Sequence, residues 1–192
     1  RITPDEYAKC SKAGVKLIEV HYASAGIVIA NSTRAPRLNF TLDEMFKLFG
    51  AQTVIGGKVA ENPYKTWKDI DSSLPISGNI EVFGPPETSG IVAALKQSVM
   101  AKGAANVPEL NELRGLDAGQ ARMKMQAWDA PIECQAAASM GGTAAFACIT
   151  EEIRTDGAWI NAGSNAYAVA YTLAQVPSAV GVFSFAFVNN NT

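Results

Sequence analysis

A single histidine, His21, and three cysteines (Cys10, Cys134 and Cys148) in no C-x-x-C spacing leave little with which to build a zinc cluster, so neither a metal site nor a cofactor is expected. Excess positive charge is also missing. Sixteen basic residues against 18 acidic ones give a formal charge of -2, which offers no polycationic surface to neutralise nucleic-acid phosphates. Nor is there an unbroken apolar run. Val176 to Val188 is interrupted by Pro177, Ser178, Gly181 and Ser184, whereas a membrane-spanning helix needs about 20 apolar residues. The sequence opens on Arg1, with neither an initiator Met nor the charged-then-apolar pattern of a signal peptide. Its start therefore reads as a processed end or, the favoured alternative, a cut in a longer protein.

What is present suits a globular protein. With 192 residues, 48% hydrophobic and 18% charged, the chain can bury a substantial core as one domain, or one domain with appendages. Cys134 and Cys148 suit a disulfide if the protein is exported, while the apolar run Ala144 to Cys148 suits a buried free thiol equally well.

Local signals predict the elements. Thr3-Pro4-Asp5-Glu6 starts a short helix that Gly14 stops, and Val15 to Tyr22 and Gly26 to Asn31 read as strands separated by Ala23-Ser24-Ala25. Thr41-Leu42-Asp43-Glu44 is a capping box opening a helix with Leu42, Met45, Phe46 and Phe49 on one face, ended by Gly50. Residues 51 to 77 have loop composition, with Trp67 and Ile70 as anchors, and Ile80 to Phe83 is a strand. Helical spacing follows at Ser89 to Met100, Val107 to Leu113, Asp117 to Trp128 and Thr143 to Ile153, the last ended by Asp156-Gly157. A strand at Ala158 to Ile160, a helix at Ser164 to Gln175 and an alternating strand at Ala179 to Val188 complete an α/β order.

One segment carries candidate chemistry. A strand ending in Gly84-Pro85-Pro86, followed by Glu87-Thr88-Ser89-Gly90-Ile91, delivers a helix start with small hydroxyl residues and free backbone N–H groups, the geometry that attracts oxyanions. The plainer alternative makes Thr88 an N-cap and the prolines a stiff turn. Ala162-Gly163-Ser164-Asn165 offers a second small, hydroxyl-bearing helix start, and the two could face one cleft.

The order of these features resembles the periplasmic phosphate-binding proteins that feed ABC transporters. The resemblance rests on Gly26 to Asn31, Leu42 to Gly50, Trp67-Lys68-Asp69-Ile70, Leu74-Pro75, Ile80 to Gly90 and Pro177 to Phe183, and covers nearly the whole chain. It implies a type II-like lobe of a two-lobed α/β protein, with a mixed central sheet flanked by helices. Such a protein closes on an inorganic oxyanion, does no chemistry, and works in the periplasm beside an inner-membrane permease.

By that resemblance, Ser89, Gly90 and Ile91 supply ligand donors and Glu87 accepts a proton from a protonated phosphate, while Thr88, Ser164 and Asn165 are candidates from the residue pattern of the two helix starts. A carboxylate facing that hydrogen gains a charge-assisted hydrogen bond, whereas facing sulfate it meets only like charge. Ile91 stands where the family commonly has Thr, and Pro85 where its phosphate binders carry a basic residue. Sulfate, molybdate and tungstate are therefore alternative ligands. The family's first ligand loops have no counterpart, so residues 1–25 are expected to be a remnant of a first lobe and crossover, 26–185 the second lobe, and 186–192 a return crossing or tail.

Other candidates read more simply as structure. Arg154 to Trp159 has an Arg, an Asp and a Trp that could line a cleft, but an Asp-Gly turn with a packing Trp accounts for them. His21 lacks an acid and nucleophile partner, and Ser89 lacks the Gly-x-Ser-x-Gly elbow of a hydrolase. Met123, Met125 and Trp128 read as ordinary packing on an amphipathic helix. A hydrolase using a phosphate-cradling turn, and a sensor lobe that has lost its ligand, remain the readings from other classes.

Overall fold

The computed structural model describes residues 4–18 and 26–191. The expected Thr3 cap, His21 and Ala23-Ser24-Ala25 lie outside them. In chain order the elements are α1 (Pro4–Lys12), β1 (Ile27–Asn31), α2 (Leu42–Phe49), β2 (Gln52–Ile55), β3 (Lys58–Glu61), α3 (Trp67–Ile70) and β4 (Val82–Gly84). Then come α4 (Gly90–Leu95), a π-helical turn (Lys96–Met100), α5 (Ala101–Ala104), α6 (Pro108–Arg114), α7 (Ala118–Ala127) and α8 (Ile132–Ala137). A 3-10 turn (Ala138–Met140), α9 (Gly142–Thr150), β5 (Trp159–Asn161), α10 (Ala166–Gln175), β6 (Val180–Ser184) and α11 (Phe185–Asn189) follow.

The central sheet is mixed, with strand order β1-β6-β4-β5: β1 runs antiparallel to β6, whereas β6, β4 and β5 are mutually parallel. Alternation along the strands divides the core into two layers. Ile27, Ile29, Val82 and Val182 face the larger layer, which holds α2 and α4 to α9, while Val28, Ala30, Phe83 and Phe183 face α10 and α11. This is the α/β architecture expected, with helices on both faces.

In α2 the capping box closes as read: Thr41 Oγ1 accepts from the Glu44 N–H, and Glu44 Oε2 accepts from the Thr41 N–H at 2.7 Å. Phe46, Leu48 and Phe49 are almost completely buried, each contributing roughly 1.5 to 3 kcal/mol relative to exposure. Leu42, the first residue of that helix, is 43% exposed.

From α4 to α5 the helix is continuous, but its buried positions run Val92, Leu95, Met100, Gly103 and Ala104. The step of five between Leu95 and Met100 is the spacing of the π turn, which shifts the buried stripe by one residue. Gly103 then approaches α2 so closely that a Cβ there would overlap the Leu42 carbonyl.

Several expectations are corrected. Residues 51 to 77 are not a loop: β2 and β3 form a hairpin, Val54 opposite Val59, turning on Gly56 and Gly57 with φ of +58° and +74°. That two-residue loop, left-handed at both positions, matches strand twist and favours glycine. Val15 to Ile18 forms no strand. Helix α9 ends at Thr150, because Ile153 leaves it to bridge Gly50. Strand β6 ends at Ser184, whose hydroxyl accepts from the Phe187 N–H at 3.2 Å and caps α11. Between α7 and α9 an unanticipated α8 carries Cys134, which is disulfide-bonded to Cys148 of α9.

Candidate functional site

Strands β4, β5 and β6 are parallel, so all three end on one edge of the sheet, and each is followed by a helix capped by a small polar residue: Ser89, Asn165 and Ser184. The third of these starts was missed because residues 185 to 188 alternate like a strand. Gly84 pairs with Asn161 in register, and the Ala162 N–H donates to the Gly84 carbonyl at 2.9 Å. The turns 85–89 and 162–165 therefore leave from adjacent strands.

They leave in opposite directions. Helix α4 buries Val92 and Leu95 in the larger layer, whereas α10 buries Val169 and Leu173 on the other face. Where neighbouring parallel strands send their helices to opposite faces, a crevice opens beyond the carboxyl ends of the strands, the usual ligand position in open α/β sheets.

Within the first turn, Ser89 is the N-cap: its Oγ accepts from the Val92 N–H at 3.2 Å, and its N–H donates to the Pro86 carbonyl at 2.9 Å. The N–H groups of Gly90 and Ile91 have no partner among the described residues. Thr88, the cap in the plainer alternative, is exposed, and Ser89 holds that role. A Cβ on Gly90 would meet nothing within 4 Å, so the backbone there is open to approach. Glu87 is exposed, with Oε1 3.7 Å from Lys96 Nζ.

On the second turn, Asn165 Oδ1 accepts from the Tyr167 N–H at 3.0 Å, and Ser164 is exposed beside it. The fold thus brings all seven candidate residues to one edge.

A cleft of about 380 Å³ adjoins Glu87, between the β2–β3 hairpin and residues 151–156. Its charged lining is Glu61, Glu87, Glu152 and Asp156 against Lys65 and Arg154, so carboxylates outnumber cations.

Arg154 is the structural centre of the cleft wall, at 2% exposure. Its Nε and Nη2 donate to the two oxygens of Asp156 at 2.8 and 2.6 Å, Nη1 to the Leu48 carbonyl and Nη2 to the Tyr64 carbonyl. Asn62 Nδ2 donates to the Lys47 and Gly50 carbonyls, and the Arg154 N–H to that of Phe49. The last carbonyls of α2, which no helical N–H can reach, are satisfied from this wall. The hydrogen bonds from Arg154 hold the Asp156 carboxyl well below the usual carboxylate range against the opposing effect of burial, with a lesser contribution from the Lys65 hydrogen bond. The Asp-Gly turn read from sequence is present, with Gly157 at φ +94°, and the arginine before it is a buried clamp.

Met125 and Trp128 are buried as expected, whereas Met123 points outward. Among the described residues no group of three metal-binding side chains occurs, and no helix is long and apolar enough to cross a membrane.

No protein-family model and no curated protein matches the chain. A solved structure described as a possible phosphate binding protein from Planctomyces limnophilus is similar, with a TM-score of 0.48 and 18% identity over 100% of this chain and 46% of that one. The chain spans less than half the length of that protein. A likeness of this size says nothing about what the chain binds.

Proposed function

We propose that the chain is a lobe of an extracytoplasmic solute-binding protein that holds inorganic phosphate or a similar oxyanion and presents it to an inner-membrane ABC permease, without chemistry on the ligand. The observation that carries this reading is the divergence of α4 and α10 from adjacent parallel strands, with the Gly90 and Ile91 N–H groups unpartnered among the described residues at the crevice. Each helix start carries about half a positive charge, and each such interaction is worth roughly 0.3 to 1 kcal/mol, more where water is excluded.

The ordered motifs that resemble periplasmic phosphate-binding proteins support the same reading. So does the Cys134–Cys148 disulfide, which suits an oxidising compartment. In this account Ser89, Gly90 and Ile91 donate from one side and Ser164 and Asn165 border the other. Thr88 flanks the turn, and Glu87 accepts the hydrogen of a protonated phosphate. Residues 1–25 are then the remnant of a first lobe and crossover, 26–185 the second lobe, and 186–192 a return crossing or tail. The hydrolase alternative is weakened by Ser89, whose hydroxyl is engaged as a cap.

Calorimetry tests the assignment. Phosphate is expected to release or absorb heat on binding, with sulfate failing to compete; heat with molybdate but none with phosphate would contradict it. The acid-rich cleft beside Glu87 favours a second reading, a cationic ligand, which binding of a diamine in place of phosphate would support.

A further inference from the structure

The two edges of the four-stranded sheet differ. β5 offers three residues, whereas β1 offers five, Ile27 to Asn31, with no charge, proline or bulge among them, so none of the usual devices blocks pairing there. The Phe185 N–H donates to the Gly26 carbonyl at 2.8 Å, and antiparallel alternation then turns the backbone groups of Val28 and Ala30 toward β6 as well. Those of Ile27, Ile29 and Asn31 point outward, and no hydrogen bond reaches them among the described residues. All five residues are half-buried, whereas Val180 to Phe183 of the neighbouring strand are buried. Cavities flank this edge on both faces of the sheet. One of about 70 Å³ lies against Ile29, Leu38, Phe40 and Met45, and one of about 490 Å³ against Ala30, Tyr167, Leu173, Phe183 and Phe187.

We propose that β1 is a dimerisation edge, on which a second copy of this chain pairs its own β1 antiparallel about a two-fold axis at Ile29. The outward groups are symmetric about that residue, so a second copy matches them all. Ile29 faces the partner's Ile29, Ile27 faces the partner's Asn31, Asn31 faces the partner's Ile27, and each pair exchanges two N–H···O bonds. Side chains keep their faces across such a pairing. The partner's Ile29 therefore lies on the side of the smaller cavity, and the partner's Val28 and Ala30 on the side of the larger one. No charge opposes the approach, since the sequence from Ala23 to Thr33 carries none. β1 is at the opposite edge of the sheet from β5, so this contact neither uses nor requires the crevice beyond β4 and β5.

Sedimentation velocity and amide hydrogen exchange over a concentration series test it, on wild type, Cys10→Ser and Ile29→Pro. Cys10 carries the free thiol, so its variant excludes a dimer held by a disulfide. Five residues a side fall well short of the roughly 20 to 30 of a standard interface, so association is expected to be weak and reversible, the mass rising from 20.3 kDa toward twice that value. Over the same range the Ile27, Ile29 and Asn31 amides should gain protection severalfold, while those of Val28 and Ala30, bonded to β6, stay as they were. Ile29→Pro removes one outward donor from each protomer and leaves the β1–β6 ladder its bonds, so it should raise the dissociation constant roughly tenfold or more. A chain that stays monomeric up to about 1 mM overturns the proposal, as does a dimer that vanishes in Cys10→Ser or brings no protection to the three outward amides. Folded Ile29→Pro that dimerises like wild type overturns it too. If that variant does not fold, the wild-type exchange pattern decides alone.

Discussion

The indole of Trp159 on β5 lies over the backbone of Gly84 on β4, so closely that a Cβ at residue 84 would overlap the ring. Phe49 packs edge-on with the same ring, centroids 6.1 Å apart. Gly84 is the last residue of the strand that launches the candidate turn, so this contact fixes where the turn begins.

Gly84→Ala should therefore push the indole or the strand aside and cost about 1 to 3 kcal/mol, as overpacking generally does. Thermal denaturation and near-ultraviolet circular dichroism check it. An unchanged midpoint and an unchanged tryptophan signal would show that the ring has room to move.

Arg154 and Asp156 make a pH-dependent contribution whose sign follows from the direction of the shift. The Asp156 carboxyl is held below its unfolded value, so its stabilisation is fully present above the ordinary carboxylate range, about pH 4, and fades as pH falls through the lower folded value. The stability gap between wild type and Asp156→Asn should be constant near neutrality and shrink below about pH 4. Arg154→Met, which leaves Asp156 with Lys65 alone and removes a donor from the Leu48 and Tyr64 carbonyls, should cost about 1 to 3 kcal/mol for each carbonyl left without a partner, read in denaturant titrations.

The bridge between α8 and α9 closes a loop with a sequence separation of 14. A loop of that order contributes about 3 kcal/mol by restricting the unfolded chain. Paired Cys134→Ser and Cys148→Ser substitutions should lower the melting temperature, and reductant should do the same to wild type alone. Equal melting curves would show that the bridge adds nothing.

Ser89 has two separable roles. Ser89→Ala removes the cap on Val92 at a cost of about 1 kcal/mol, whereas Ser89→Asp keeps a capping oxygen and places negative charge where the helix end favours it. Melting should therefore distinguish Ala from Asp, while phosphate binding should fall in both and furthest in Asp. Ser89→Asp that binds phosphate like wild type would make the turn purely structural.

Much of this arrangement was legible where the partners are local. The Thr41 capping box and the start of α7 at Asp117 are each written within four residues. The hairpin was legible too, in Val54-Ile55-Gly56-Gly57-Lys58-Val59, but glycine and proline content read it as loop. Residues 185 to 188 misled because their apolar alternation comes from packing, with Phe187 stacked on Phe183 at 5.5 Å, and not from a strand. Ile153 extended the apparent α9 because it is buried by a bridge to Gly50.

The least legible feature was the clamp. Arg154 reaches Leu48 and Tyr64, which are 106 and 90 residues away in sequence, and no local pattern encodes such a partnership. Likewise the two helix starts of the candidate site could be read from their small polar residues, but their departure to opposite faces of the sheet depends on strand order.

The most direct test of the account is an amide NMR titration of the chain with inorganic phosphate, which registers even weak binding residue by residue. The account expects saturable shifts at the Gly90 and Ile91 amides, accompanied by Ser164 and Asn165. Shifts confined to other residues, or none at phosphate concentrations well above those of the protein, would contradict it.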